Sequence, residues 1–189
     1  MVDHGLLTKI TRTKNAVTDE LWIKNFLKQV PWGIVATAVN RDDLQKIQPF
    51  LTPLLFVYDD EIHAIYLHAA RAGRLWENHL TNPFVCFNAS LMGRLLPAKQ
   101  ALHFDVEYAS VIVFGKIALI DDPVEAEVGL QKLLDKYFFD LQPGIDYEPI
   151  TANEKKSTAV YRIDISEWSG KLRKAINDFP NSRSWVTDI

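Results

Sequence analysis

Apolar residues recur along this chain with two spacings, one of about 3.6 and one of about 2, and the switches between them mark the elements. Thr18-Asp19-Glu20 supplies a capping residue and first-turn acids. Leu21, Trp22, Phe26, Leu27 and Val30 then form a helical stripe that Pro31 stops. Gly33–Val39 (GIVATAV) reads as a strand, residues 40–49 as a polar connection, and Leu51–Asp59 (LTPLLFVYD) as a second strand. Pro53 removes a ladder donor, so this strand starts late, bulges or lies at an edge. Asp59-Asp60-Glu61 turns tightly into a third strand, Ile62–His68, which makes a hairpin. Helical spacing returns over 71–81, with Arg71, Arg74, Leu75 and Asn78 in phase, and Asn82-Pro83 ends it.

The second half repeats the alternation. Pro83–Asn88 is a strand, 91–105 is irregular, and Tyr108–Ile120 is a long strand with Gly115 as a bulge or close approach. Asp121-Asp122-Pro123 caps a helix over Val124–Phe139, with Ala126, Leu130, Leu133, Leu134 and Tyr137 on one side as packing residues. Residues 140–157 form a polar loop, Thr158–Ile165 the last strand, and a polar tail follows Trp168-Ser169-Gly170-Lys171. Six strands with short connections and few flanking helices predict a mainly β fold, an antiparallel sheet or small barrel. A parallel α/β sheet would need a helix between the second and third strands, where there is none.

Composition narrows the function classes. The 189 residues are 48% hydrophobic, enough for one core in one domain over 1–189, with 1–17 as an arm and 172–189 as a tail. A net charge of −3 from 21 basic and 24 acidic residues leaves no nucleic-acid footprint. The lone Cys86, in Phe84-Val85-Cys86-Phe87, is read as a buried thiol. MVDHGLLTKITRTK has no apolar core or cleavage site, and no apolar run reaches the roughly 20 residues of a membrane span. A cytoplasmic protein without membrane contact is expected. The glycines form neither a dinucleotide fingerprint nor a P-loop, and G-x-S-x-G is absent. His63 and His68 fall on opposite faces of one strand, so they do not share a metal.

One junction carries chemistry. Between the third strand and the next helix lie Ala69, Ala70, Arg71, Gly73 and Arg74. Small residues admit a ligand to the backbone, and a helix start with two guanidinium forks on one face is a phosphate cradle. The alternative is a solvated helix start with two surface arginines. His68 precedes the cradle, where the next portion of a phosphorylated ligand would lie, or it is an ordinary interfacial histidine.

Four segments together give a family resemblance: PFLTPLLFVYDDEIHAIYLHAARAGR (49–74), NPFVCFN (82–88), YASVIVFGK (108–116) and TAVYRIDISEWSGK (158–171). The chain resembles the flavin-binding split barrels related to pyridoxamine 5′-phosphate oxidase, and within them the nitroimidazole-resistance (Nim-type) branch. The resemblance implies a six-stranded split barrel and a homodimer with FMN in the interface clefts. It implies that Leu51, Thr52, Pro53 and Leu54 run along the flavin ring. Arg71 and Arg74 would hold the phosphate among Ala69, Ala70 and Gly73. Tyr108, Ser110, Trp168 and Lys171 would contact the cofactor, some from the second subunit. His68 would stand beside the flavin as the catalytic proton donor. The R-x-V-L-L-K strand of the true oxidases is replaced by LTPLLFVYD, and their C-terminal substrate motif has no counterpart in NDFPNSRSWVTDI. Activity on pyridoxamine phosphate is therefore not expected. The implied activity is an FMN-dependent oxidoreductase passing electrons from NADH or NADPH to a nitroaromatic or quinone. The alternatives are a non-catalytic flavin store, or a split barrel that holds deazaflavin or haem, the last with His68 or His103 on the iron.

Overall fold

A computed structural model describes residues 5–41 and 46–185. In chain order the elements are α1 (Gly5–Thr8), β1 (Ala16–Val17), α2 (Glu20–Gln29), β2 (Gly33–Arg41), β3 (Lys46–Leu54), β4 (Phe56–Asp59) and β5 (Ala64–Ala70). There follow α3 (Arg74–Thr81), β6 (Phe84–Leu96), β7 (Asp105–Leu119), α4 (Pro123–Tyr137), α5 (Ala152–Ser157), β8 (Thr158–Arg173) and β9 (Arg183–Ser184). The strands form one antiparallel sheet in the order β3-β2-β6-β7-β8-β5-β4, with β1 added to β8 and β9 to β6.

The mainly β reading holds, but the described residues contain nine strands rather than six. Much of the difference lies at Leu55. The run expected as one strand over 51–59 breaks there into β3 and β4, which occupy the two ends of the strand order. Pro53 sits on the edge strand, opposite Ile34, where a missing N–H interrupts no second ladder. Part of the polar connection also belongs to β3, because residues 46–49 pair with β2; residues 42–45 lie outside the described residues.

Other boundaries moved for local reasons. β6 continues to Leu96 through a register shift between Met92 and Leu95, so much of the stretch taken as irregular is strand. β8 runs on past Ile165 to Arg173 and carries Trp168 and Lys171 within the sheet. Gly115 sits at the β7–β8 bulge, where a Cβ would stand 2.3 Å from the Asp164 carbonyl oxygen. No side chain fits that approach.

The helix caps follow the sequence to within one residue. The Asp19 carboxylate accepts from the Leu21 N–H at 2.9 Å, and Asp122 accepts from Val124 at 3.0 Å with Pro123 in the first turn. α2 buries Ile23 and Leu27, while Leu21, expected on the stripe, is exposed. The barrel interior is filled by large side chains including Phe56, Phe87, Leu67 and Tyr161, with Phe56 and Phe87 edge to face at 4.7 Å. α4 lies outside the barrel across β4, β5 and β8, over Tyr66, Val160 and Ile120. Its far end is fastened by the Tyr137 hydroxyl, which donates to the Phe56 carbonyl at 2.9 Å, and by Lys136 Nζ, 2.9 Å from the same oxygen. None of the described helices is long and apolar enough to cross a membrane.

Candidate functional site

The residues singled out in the sequence fall into three places. The first is the outer face of the sheet. Leu51 pairs with Ala36 and Pro53 with Ile34, and these rows continue to Cys86 and Asn88 on β6 and to Phe114 and Ile112 on β7. Leu51 is 69% exposed at the open edge and Pro53 is exposed beside it, while the residues these rows reach on β2, β6 and β7 are half-buried. Cys86 therefore lies half-buried on an outer face rather than in the core, and desolvation raises its thiol pKa. Ser110 lies opposite Lys171 on β8, at the far side of the sheet from β3. Thr52 and Leu54 alternate away from Leu51 and Pro53, and Leu54 packs against the core. Trp168 pairs with the buried Val113 and points inward, its ring 4.5 Å from that of His63 and 6.0 Å from that of Tyr58. Within one chain Ser110 and Trp168 thus serve opposite faces. Tyr108 is tied to the N-terminal segment, its hydroxyl accepting from Asn15 Nδ2 at 2.9 Å.

The second place is the turn before α3. The helix begins at Arg74, with Gly73 at its N-cap in the left-handed region, φ 90°. Arg71 thus precedes the helix, so the helical spacing that would put it on one face with Arg74 does not apply. Arg71 lies over the Trp76 ring at 5.7 Å, and Arg74 over Phe50 at 5.0 Å, next to Leu51. Neither guanidinium is ion-paired with a described carboxylate. Ala69 packs on the core and Ala70 is exposed. Asn78 fixes α3 to the sheet, donating from Nδ2 to Thr37 Oγ1 at 2.7 Å. Arg74 is thereby held beside the open edge strand.

The third place was not foreseen. On β5, Tyr66 and His68 point outward to α4, while Ile65 and Leu67 fill the barrel. His68 lines a cavity of about 260 Å³ walled by Leu55, by Leu130, Leu133 and Leu134 of α4, and by Phe138 just past that helix. Tyr137, Glu154 and Thr158 are its polar rim. The Nδ1 atom of His68 is buried and has no hydrogen-bond partner among the described residues. Desolvation lowers its pKa, which favours the neutral imidazole. The α4 stripe packs as expected, with Ala126 and Leu133 buried and Leu130 against the core, and Leu130, Leu133 and Leu134 also wall this cavity. A signal did exist: a histidine on an otherwise apolar strand, in a chain with one more apolar helix stripe than a small barrel needs. His103, the other histidine considered for iron, is exposed in a short 3₁₀ turn, Ala101–His103.

An antiparallel sheet curled around a core, left open between β3 and β4 and crossed outside by one helix, defines a split barrel. The chain belongs to the pyridoxamine 5′-phosphate oxidase family, whose sequence profile matches residues 19–172; this is a flavin-binding family. No curated protein matches the sequence. Among solved structures, the flavocytochrome Anf3 from Azotobacter vinelandii superposes with a TM-score of 0.75 at 25% identity, over 97% of this chain and 86% of that one. An FAD- and haem-binding protein from Mycobacterium smegmatis gives a TM-score of 0.68 at 20% identity, over 85% of this chain and 74% of that one. A candidate 5-nitroimidazole resistance protein from Bacteroides thetaiotaomicron gives 0.64 at 20% identity, over 83% and 86%. The last two likenesses concern the fold alone.

Proposed function

We propose that this protein is a flavin-binding redox protein, a homodimer joined through the outer sheet face, with the flavin in the interface cleft. Family membership supports the cofactor class. The observation that carries the placement is the open edge of β3, where backbone groups and the exposed Leu51 and Pro53 lie beside Arg74, a guanidinium without a described acidic partner. The edge strand offers unpaired N–H and C=O groups to a flat heteroaromatic ring. Arg74 and Arg71 offer charge-assisted hydrogen bonds to a phosphate, whether FMN brings one or FAD brings a pyrophosphate. Packing two copies face to face covers the apolar rows through Ala36 and Ile34 and supplies each cleft with Ser110 and Lys171 of the second copy. A bound flavin accepts hydride from a nicotinamide and passes electrons on to a small electron-poor acceptor such as a nitroaromatic or quinone. Replacing Arg74 with Ala weakens flavin binding by about 1.5–3 kcal/mol, the scale of a charged hydrogen bond. Fluorescence titration measures this, and an unchanged dissociation constant removes Arg74 from the site. Oxidation of NADPH with a nitro acceptor, against free FMN as control, separates an enzyme from a flavin store.

A second reading adds haem, favoured by His68. The histidine offers a neutral ring, buried by apolar walls and without a described hydrogen-bond partner, to a cavity large enough for part of a flat ring. Two of the similar structures, the flavocytochrome and the FAD- and haem-binding protein, carry both cofactors by name. In this reading His68 would hold the haem iron, and Leu130, Leu133 and Leu134 would exclude water from it. The role of flavin-side proton donor then passes from His68, which faces α4 and not the sheet face of Leu51. The absorption spectrum of protein expressed with a haem supply tests this. A Soret band lost in His68→Ala supports the reading, and flavin absorption alone refutes it.

A further inference from the structure

The three elements that enclose His68 also line a second cavity of about 230 Å³. The end of β5 gives His68 to the first and Arg71 to the second. α4 gives Leu130, Leu133, Leu134 and Tyr137 to the first and Pro123 and Ala126 to the second. α5 gives Glu154 to the first, and Ala152, Lys155 and Lys156 to the second. The first cavity is apolar around one imidazole, whereas the second sets three cationic side chains against one carboxylate, Asp121. Lys155 also pairs with Glu127, while Lys156 and Arg71 pair with no described carboxylate. Arg71 follows His68 by three residues, a span of about 10 Å at roughly 3.3 Å per strand residue.

An apolar chamber with a nitrogen ligand beside a cationic one fits an amphiphile with a flat apolar body and anionic arms. Haem has this form, because its two propionates leave one edge of the ring a short arm's length from the iron. Resting on the haem reading above, we infer that Lys155 and Lys156 hold the propionate carboxylates of a tetrapyrrole ligated by His68. Arg71 lines the cavity of these lysines and also lies over Trp76 of α3, the helix that begins at Arg74. Each lysine presents an ammonium point charge with three donors, which suits a carboxylate free to rotate on a methylene arm. The residues act by binding alone, and no bond is made or broken.

The test compares haemin with haemin dimethyl ester, whose propionates are blocked, in Soret titrations of the full-length protein purified without haem. Wild type is expected to bind haemin at least about tenfold more tightly than the ester, and Lys155→Ala/Lys156→Ala to lose about tenfold for haemin and nothing for the ester. His68→Ala is expected to lose the axial-ligand signature with both, and flavin content is expected to stay at the wild-type level in the lysine variant. A lysine variant that keeps the full preference for haemin overturns the assignment while leaving haem binding intact. A wild type that shifts neither porphyrin spectrum refutes the haem reading and this inference together. Should the double variant lose its native circular dichroism, Lys156→Gln at an exposed position makes the same comparison, with a smaller loss for haemin expected and none refuting it.

Discussion

Two histidines in this protein each keep a buried ring nitrogen without a hydrogen-bond partner, and their surroundings are opposite. His79, on α3, is only 8% exposed. Its Nδ1 meets the Leu75 carbonyl at 3.2 Å, and its ring lies edge-on to Trp76 at 5.3 Å and to Tyr161 at 5.0 Å. His68 has comparable burial at Nδ1 but faces an apolar cavity under α4. An orphaned nitrogen in a packed aromatic cluster is a cost of the fold, covered by the packing around it. His68, by contrast, also lines a cavity with space for a ligand, so its ring has room beside it although Nδ1 itself is closed off. Room, not lack of a partner, separates the two.

The sharpest way to break this contrast is to delete each ring. His68→Ala is expected to abolish haem retention altogether while flavin stays bound; His79→Ala is expected to keep both cofactors, as read from the visible spectrum. If His79→Ala also loses the Soret band, the contrast fails. Stability should divide the other way. His79→Ala is expected to lose about 2–4 kcal/mol, as large-to-small core replacements do. His68→Ala, beside a cavity that already exists, is expected to lose less than about 1 kcal/mol in urea unfolding without haem.

The smallest effect is the pH dependence. Burial depresses the His68 pKa, so the folded state favours the neutral ring and the unfolded chain takes up the proton first. That stability is present above the unfolded value near 6.5 and is lost as pH falls toward the folded one. In the haem-free protein His68→Gln should flatten the acid side of the melting curve by roughly 1–3 °C. His63, also lowered chiefly by desolvation, retains its own slope in both proteins and cancels in the comparison. Equal acid slopes with and without His68 would show that its ring is not desolvated.

The sequence made local features readable because they follow from local chemistry. Asp122 caps where it was expected, the first cap falls on Asp19, one residue past Thr18, Gly115 marks a bulge with no room for a side chain, and Pro53 lies on an edge. The family was readable from four segments in order. Three things were hidden. The break at Leu55 sends two halves of one apolar run to opposite ends of the sheet, which no period of 2 reports. Arg71 lies before α3 because Gly73 takes a left-handed φ, a conformation without a spacing signature. The cavity exists because α4 stands off β5 at His68, and an apolar stripe looks the same whether it meets a core or a void.

Leu55 links the ends of the strand order, joining β3 to β4, and it also walls the His68 cavity. The barrel's seam and the ligand chamber therefore share a residue. An occupant that needs Leu55 in place is thermodynamically coupled to the pairing of the two edge strands: loading holds the edges down, and a loosened edge weakens loading by the same factor. In assembly the chamber is completed only when β3 has paired with β2 and β4 with β5 at the two ends of the order, so loading falls late. Amide exchange across β3 and β4 would then serve as a gauge of occupancy, slowing when the chamber fills although no ligand touches most of those amides.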